Sequence, residues 1–512
     1  MMDPEWRWVA GRGHPERAGA LSALFLVVLF GYCALPTPLQ AQYVPEREID
    51  PDAEVLNLYD EVIPLAAAKA ERILAESPSG SAIHPTHADP VSGIYERSGV
   101  SEWTSGFFPG MLWMLYEATG ESVWLKRARE WTDLLEPEAT RNGDHDHGFR
   151  ILSSFGRGWA LTGDRAYRRI VRQAAGTLAS RYNKQIGAIR SWDWFRTYPV
   201  IIDNMMNLEL LLEAGSWSPV FDTYREIALV HGETTRQHHL REDGSHVHIV
   251  DFSESGQAQW KGTIQGYGPE STWARGQAWG IYGFATLFRY GGRAADLQSA
   301  CEMAGWFLDH LPPEGVPFYD FEDPDIPHVT RDASAAAIAA SALLELYGHT
   351  GEARWLEGAE RILLALGGPD HLSRDPRQNA LLVRSTRWRG DPERGIIYGD
   401  YYFLEALSRY AQMAGVPMPE MEREWPVALY APYPNPARGE VTFDVALEES
   451  SRIRLELFTV TGRRVALLVD EEELPAGSHQ MVRDLSRLAS GLYLVRLTSG
   501  DHSRVRKLIL LR

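Results

Sequence analysis

Two aspartates in strongly polar settings are the first candidates for chemistry. Asp146 lies in the run His145-Asp-His-Gly-Phe149, and Asp203 opens the run Asp203-Asn-Met-Met-Asn207. Two carboxyl groups facing one substrate can share acid and base work. One stays protonated as the donor, and the other activates water or lifts its neighbour's pKa by repulsion. Other polar and aromatic residues gather in short clusters: Trp103-Thr-Ser-Gly-Phe-Phe-Pro-Gly110, Gln265-Gly-Tyr267, Ser271-Thr-Trp273-Ala-Arg275-Gly-Gln277-Ala-Trp279, Arg331-Asp332-Ala-Ser334 and Tyr398-Gly-Asp400-Tyr-Tyr402. A plainer reading is available for each acid, since Asp203 and Asp332 could simply cap helices. His145 and His147 stand close together with no third ligand at a recognisable spacing, which argues against zinc. No Gly-rich phosphate loop and no Gly-x-Ser-x-Gly elbow occurs.

The elements that must position these clusters are helical. Amphipathic spacing predicts twelve helices, near 54–77, 106–118, 121–135, 148–162, 164–182, 203–214, 219–238, 272–290, 293–310, 332–348, 351–368 and 397–413. Three joints repeat one pattern: Ala118-Thr-Gly-Glu121 with Trp124, Leu161-Thr-Gly-Asp164 with Tyr167, and His349-Thr-Gly-Glu352 with Trp355. Glycine suits the left-handed end of one helix and the acid suits the positive start of the next, so these read as tight antiparallel pairs. Twelve such helices close into two rings of six, an (α/α)6 barrel; an open helical solenoid uses the same pairs. The even-numbered helices read as the inner ring, because Asp332–Ser341 and Arg275–Gly280 are rich in small residues. Every polar cluster precedes or opens an even-numbered helix, so all of them lie at one end of the barrel. Helix N-termini add partial positive charge there and Arg275 a full one, which suits a carboxylated sugar.

Composition narrows the class. The formal charge of -18 excludes nucleic acid as an expected partner, since phosphate binding needs a basic surface. The 17 Trp and 21 Tyr fit sugar stacking, although a large core uses them as well. Arg7, Arg12 and Arg17 precede an apolar run, Ala18–Leu35, with a cut site near Ala41: an export signal, or else an N-terminal anchor. Removing residues 1–41 removes Cys33 and leaves Cys301, expected as a buried helical thiol, so export rests on the signal and not on disulfides. No membrane span is expected in the mature chain.

From 426 onward the pattern alternates, as in Val441-Thr-Phe-Asp-Val445 and Ile453-Arg-Leu-Glu-Leu457, and predicts a small β-sandwich. The runs Tyr433-Pro-Asn-Pro436, Thr461-Gly-Arg-Arg-Val465 and Gly491-Leu-Tyr-Leu-Val-Arg-Leu497 resemble the C-terminal sorting domain of the type IX secretion system. That resemblance implies a Bacteroidetes-type outer-membrane exporter as partner; a sugar-binding module is the structural alternative. The expected organisation is a signal over 1–41, a barrel over 52–415, a linker over 416–432 and a sandwich over 433–512.

The helical part, 52–415, resembles glycoside hydrolase family 88, the unsaturated glucuronyl hydrolases. The matching stretches are Gly106-Phe-Phe-Pro-Gly-Met-Leu-Trp113, His145–Phe149, Asp203–Asn207, Asp243-Gly-Ser with His248, and Ser271–Trp279. The resemblance implies an (α/α)6 barrel and a 4,5-unsaturated uronic-acid oligosaccharide as substrate. It implies Asp203 as general acid/base, Asp146 as the second essential carboxylate, and no metal or organic cofactor. His145, His248, Gln265, Arg275 and Trp279 would hold the uronate ring, with Trp103 and Trp192 as stacking platforms. The sister family acting on unsaturated rhamnogalacturonan disaccharides, a sugar epimerase and a non-catalytic carbohydrate binder are the competing readings. The location implied is exported, from periplasm to cell surface or extracellular.

Overall fold

The computed structural model describes residues 47–77, 83–217, 222–419 and, apart from 431, 448–449, 461, 476 and 501, 427–511. The export signal expected at 1–41 lies outside these residues. Helices α1 (Ala53–Ala75), α2 (Phe107–Thr119) and α3 (Ser122–Asp133) come first. Next is α4, a π-helical stretch Gly148–Gly156 continued as an α-helix over Arg157–Thr162. The rest are α5 (Arg165–Ala179), α6 (Asn204–Ser216), α7 (Asp222–His238), α8 (Ala274–Gly291), α9 (Ala294–His310), α10 (Ala333–Thr350), α11 (Ala353–Gly367) and α12 (Ile397–Met413).

Burial separates the two rings. Every residue of α8 from Ala274 to Leu287, and of α10 from Ala333 to Leu346, is buried, as befits a helix with neighbours all round. By contrast, α9 buries only Asp296, Ser299, Ala300, Met303, Ala304, Trp306 and Phe307, and α11 only Trp355, Gly358, Ala359, Ile362, Leu363 and Leu366, one side of each helix. Around the axis α2 packs on α4, α4 on α6, α6 on α8, α8 on α10, α10 on α12, and α12 returns to α2. The ring is closed, so the molecule is a barrel and not an open solenoid. Crowding is close: a Cβ at Gly283 of α8 would stand 2.4 Å from the Cβ of Met205 on α6.

The repeated joint has a shared mechanism. Gly120, Gly163 and Gly351 adopt φ of 69°, 67° and 71° and end α2, α4 and α10. In each joint the threonine hydroxyl donates to the carbonyl four residues back and accepts the N–H of the acidic residue at 3.2 Å. The acids differ from expectation in one respect. Asp164 caps the N–H of Ala166, whereas Glu121 and Glu352 make no side-chain cap. Cys301 sits on α9 as expected but is only half buried; burial raises its thiol to about 11, with Glu352 and Glu302 adding to the shift.

Among the described residues, seven short strands that helical periodicity does not disclose decorate the barrel. They are β1 (Ile83–Ala88), β2 (Tyr95–Gly99), β3 (Tyr182–Asn183), β4 (Ala188–Ile189), β5 (Pro199–Ile201), β6 (Ile249–Phe252) and β7 (Ala258–Gly262). After the barrel come β8 (Val427–Leu429), β9 (Glu440–Leu447), β10 (Ser451–Thr459), β11 (Arg464–Leu474), β12 (Gly477–Asp484), β13 (Gly491–Ser499) and β14 (His502–Leu510). They form two antiparallel sheets, ordered β11-β10-β13-β14 and β12-β9-β8, over a core that includes Phe443, Val445, Leu455, Leu457, Val495 and Leu508. Tyr430 donates to the Gly163 carbonyl at 3.1 Å, touching the α4–α5 joint.

Away from the polar clusters, toward the C-terminal ends of the inner helices, ion-paired residues surround a cavity of about 80 Å³ that Arg157, Tyr282, Arg289, Glu405 and Arg409 line. Arg409 holds Glu345 at 2.8 Å and the Tyr282 hydroxyl at 2.7 Å, Arg157 holds Glu405 at 2.6 Å, and Arg289 reaches Glu345 at 3.2 Å. Burial opposes the charge on Glu345, yet Arg289, His349 and Arg409 hold its carboxyl at about 2. Removing Arg409 leaves two buried carboxylates, Glu345 and Glu405, with only part of their counter-charge. Arg409→Met is therefore expected to cost about 3–5 kcal/mol, measured as a lowered urea midpoint; an unchanged midpoint would show that this end of the barrel carries no such burden.

Candidate active site

Asp146 stands in the loop that feeds α4. Its backbone N–H donates to Asp144 Oδ1 at 2.9 Å, and Asp144 is ion-paired with buried Arg150. Burial pushes Asp144 upward, but the Arg150 guanidinium and its hydrogen bonds prevail and hold the carboxyl at about 2. Asp146 receives no such partner. Burial pushes its pKa well above the usual carboxylate range, Asp144 adds to the rise and Asp203 adds further; Arg150 offsets only part. His145 Nε2 lies 3.4 Å from Asp146 Oδ1, and burial drops this imidazole to about 3, so it is neutral. The helix that follows opens with i→i+5 turns, a geometry that recurs at functional sites because it re-aims side chains.

One side chain ties this loop to Asp203. Asn207 Oδ1, one turn into α6, accepts the N–H groups of Gly148 at 2.7 Å and Phe149 at 3.2 Å. The approach is so close that a Cβ at Gly148 would meet Asn207 Cα and Oδ1 at 2.8 Å, so glycine is required there. Asp203 precedes α6 in the capping position but makes no capping hydrogen bond. Its Oδ2 is buried without a hydrogen-bond partner. Burial raises Asp203 to about 7 against the opposing pull of Arg275. The indole N–H of Trp279 nearby slightly favours its ionised form while falling short of full hydrogen-bond geometry. Asp332, by contrast, does cap its helix, accepting from Ser334 N and Ala335 N.

His248 faces Asp203, Nε2 to Oδ2 at 3.7 Å, held by the hydrogen bond from Ile202 N to the His248 carbonyl. Burial, then His246 and His239, push its pKa well below the usual value, so the ring is neutral. Its tautomer follows from Thr263. The Thr263 hydroxyl oxygen accepts Gly266 N–H at 2.8 Å and Gln265 N–H at 3.2 Å, which leaves its proton to donate to His248 Nδ1 at 2.9 Å. The remaining ring proton must then sit on Nε2, pointing toward Asp203.

The aromatic and cationic residues are arranged around this pair. Trp279 is fully buried on α8 against Phe149 and Tyr402. Trp103, partly exposed, packs on Phe149 at 5.2 Å and Tyr398 at 5.0 Å. Arg275 is buried between Trp273 and Tyr398, its guanidinium paired with Asp332 and bonded to the carbonyls of Thr386 at 2.7 Å and Arg387 at 2.8 Å. The full positive charge expected from Arg275 is thus paired with Asp332, although it still opposes the rise of Asp203. Gln265 donates to the Arg387 carbonyl at 3.2 Å and steadies the loop beside Arg275. Trp192 lies farther out, edge-on to His145 at 6.1 Å. Asp146, Asp203, His145, His248, Arg275, Trp279 and Trp103 therefore gather at the N-terminal ends of α2, α4, α6 and α8.

Asn207, Asp144, Thr263 and Tyr398 join the site without a role assignable from sequence alone. Asn207 and Tyr398 stood inside the quoted clusters, and Asp144 one residue outside. Thr263 follows a strand in a loop of ordinary composition, and only its hydrogen bonds single it out. Among the described residues, no three His, Cys, Asp or Glu side chains converge as a metal site.

Known proteins resemble both parts of this chain. The model of Glycosyl Hydrolase Family 88 matches residues 83–298, and that of a secretion system C-terminal sorting domain matches residues 431–511. The chain is 40% identical over 347 residues to an unsaturated glucuronyl hydrolase of Formosa agariphila, covering 66% of this chain and 86% of that protein. A second unsaturated glucuronyl hydrolase, from a Bacillus species, is 37% identical over 345 residues, covering 63% and 90%. The crystal structure of an unsaturated glucuronyl hydrolase specific for heparin superposes with a TM-score of 0.67 at 33% identity, covering 70% of this chain and 98% of that one.

The clamp between the two aspartates is open to direct test. Asn207→Ala strands two buried N–H groups and is expected to cost about 1–3 kcal/mol for each, read from the urea midpoint. A midpoint within error of the parent would mean that the loop at Gly148 is held by something else.

Proposed function

The chain belongs to glycoside hydrolase family 88, and from that premise we propose that Asp203 and Asp146 are the carboxyl groups that carry its reaction. The enzyme is an unsaturated glucuronyl hydrolase: it removes a 4,5-unsaturated uronic acid from the non-reducing end of polysaccharide-lyase products by hydrating the C4=C5 double bond. The observation that carries the assignment is Asp203 itself, at a helix start it does not cap, with a buried oxygen free of any hydrogen-bond partner and a pKa raised to about 7.

A carboxyl that titrates near neutrality can serve both halves of a hydration. In the proposed sequence protonated Asp203 gives its proton to C4. The positive charge that develops at C5 is shared with the ring oxygen, and water adds there. Asp203, now a carboxylate, takes the proton that water releases, so water is added overall and the acid is regenerated. The hydrated C5 opens, and the glycosidic bond breaks as a consequence. Asp146, kept protonated by its surroundings, donates a hydrogen bond to the sugar without adding a second negative charge beside Asp203. The Nε2–H of His248 and the indole N–H of Trp279, both buried and lacking protein acceptors, are suited to the uronate oxygens. Because Arg275 is already paired, its contribution is to hold Tyr398 and the Thr386–Arg387 backbone around the ring. Trp103 supplies a stacking face, while Gln265 and His145 order the rim.

The C-terminal β-sandwich belongs to a secretion sorting family, and the protein is exported. Among the described residues no helix is long and apolar enough to cross a membrane. We assign the signal to 1–41, the catalytic barrel to 52–415, the linker to 416–432 and the sorting domain to 433–512, with type IX machinery as partner and the cell surface or medium as destination.

Lyase-generated unsaturated oligosaccharides should lose their ultraviolet absorbance in the presence of the enzyme, and Asp203→Asn should abolish that loss while substrate still binds. Unchanged turnover by Asp203→Asn would end the assignment, and so would absorbance that no substrate loses. The acid role requires protonated Asp203, so kcat/KM should fall as pH rises through about 7. Stability has its own sign. A raised folded-state pKa makes the buried carboxylate a cost that grows above the unfolded value and is complete above about 7. Asp203→Asn should therefore raise the unfolding midpoint at pH 8 and leave it nearly unchanged at pH 4. Thr263→Val frees the tautomer of His248 and should lower kcat roughly tenfold with little change in KM, whereas Thr263→Ser restores it; equal loss in both variants would make Thr263 a packing residue only.

A further inference from the structure

The segment 190–198, between β4 and β5, reads Arg-Ser-Trp-Asp-Trp-Phe-Arg-Thr-Tyr and runs along the rim of the site. It is anchored at one end by the bridge between Trp192 and Asp144, and β5 at the other end leads straight to Asp203. Trp194 stacks on Trp192 with centroids 5.3 Å apart and planes at 27°, yet it is 71% exposed. Phe195 touches both indoles and lies 6.3 Å from Trp260 of β7. Arg196 holds a left-handed backbone with φ of 51° and lays its guanidinium 3.7 Å from the centre of the Trp260 ring. A bulky residue in that conformation needs a reason, and such strain gathers at binding sites.

The charge around this ledge opposes that of the whole protein. The chain carries -18, but residues 181–198 hold four cations, Arg181, Lys184, Arg190 and Arg196, against one carboxylate, Asp193. Arg181, Lys184 and Arg190 line an open hollow of about 530 Å³ together with Asn142, Tyr198 and Asp193. Asp193 is already engaged by Arg181 at 2.9 Å. An indole as exposed as Trp194, beside the exposed Arg196, gives little to folding, because its burial is slight. The combination suits a sugar ring with anionic substituents: apolar ring faces stack on indole, and sulfate or carboxylate pairs with arginine.

We propose that Trp194, Phe195, Arg196 and Trp260 form a distal subsite for anionic saccharide units on the reducing-end side of the unsaturated ring. The inference rests on the reading of Asp203 and Asp146 as the reacting centre, and the continuity through Trp192 and His145 supplies the path between them. A disaccharide ends before the ledge, whereas a tetrasaccharide reaches it. The subsite therefore selects longer acidic products over the shortest ones.

The test compares unsaturated di- and tetrasaccharides released from heparin by a lyase. For Trp194→Ala and Arg196→Ala the tetrasaccharide KM should rise roughly three- to tenfold, while disaccharide kcat/KM stays within about twofold of the parent. Added salt should weaken tetrasaccharide binding to the parent more than to Arg196→Ala. Equal effects on both lengths, or no effect on either, overturn the subsite. Should the parent turn over neither oligosaccharide, the hydrolase reading fails separately. Calorimetric titration with the same tetrasaccharide then judges the ledge alone: parent-like binding by both variants, or no binding by the parent, counts against it.

Discussion

The contact between Asn207 and the backbone of Gly148 and Phe149 is the constraint on which the site depends. It joins the first turn of α6 to the start of α4, and so brings together two carboxyl groups that lie far apart along the chain. The electrostatics follow from that meeting. With Arg150 committed to Asp144, Asp146 is left protonated, and Asp203 is left as the group that titrates near neutrality. Had a cation stood beside Asp146 instead, that carboxyl would ionise, and its negative charge would push Asp203 further upward and remove the neutral hydrogen-bond donor beside it.

The closed inner ring makes such a clamp possible. Helices buried on all sides cannot shift independently, so the N-termini of α2, α4, α6, α8, α10 and α12 stay fixed around one hollow. The ion pairs among Arg157, Arg289, Arg409, Glu345 and Glu405 cross-link the inner helices farther along. The two regions use charge in opposite ways. In the network each charge has a partner and holds the helices together; around Asp203 its own Oδ2, His248 Nε2 and Trp279 Nε1 are buried without a hydrogen-bond partner. Leaving buried polar atoms unpaired costs stability, and that cost is what a ligand with matching oxygens relieves.

The short strands have a similar standing. Sheet β5-β6-β7 carries Asp203 at the exit of one strand, His248 at the entrance of the next and Thr263 just past the third, so one small sheet sets the distances among acid, imidazole and hydroxyl. The ledge of Trp194, Arg196 and Trp260 is built on its flanks, which links the reacting centre to the outer surface through continuous backbone.

Much of this was legible in the amino-acid sequence. Helical periodicity located the helices to within a few residues of their ends, the Thr-Gly-acid joints paired them, and the clusters of polar residues marked one end of the ring. Asp146 and Asp203 could be named because their neighbours are unusual, and resemblance to a family supplied the chemistry. The sequence could not show that Asp332 neutralises Arg275, since ion pairing across the barrel depends on which helices are adjacent. Nor could it tell that Asp203 leaves its helix uncapped while Asp332 caps its own; both are aspartates in the same position, and the difference lies in backbone angles and in what each side chain meets. Thr263 carries no signal in its own neighbourhood. Local pattern determines elements because helix and turn formation depend on nearby residues, whereas protonation states and hydrogen-bond roles are set by groups distant in the chain, and only the folded arrangement brings those groups within reach.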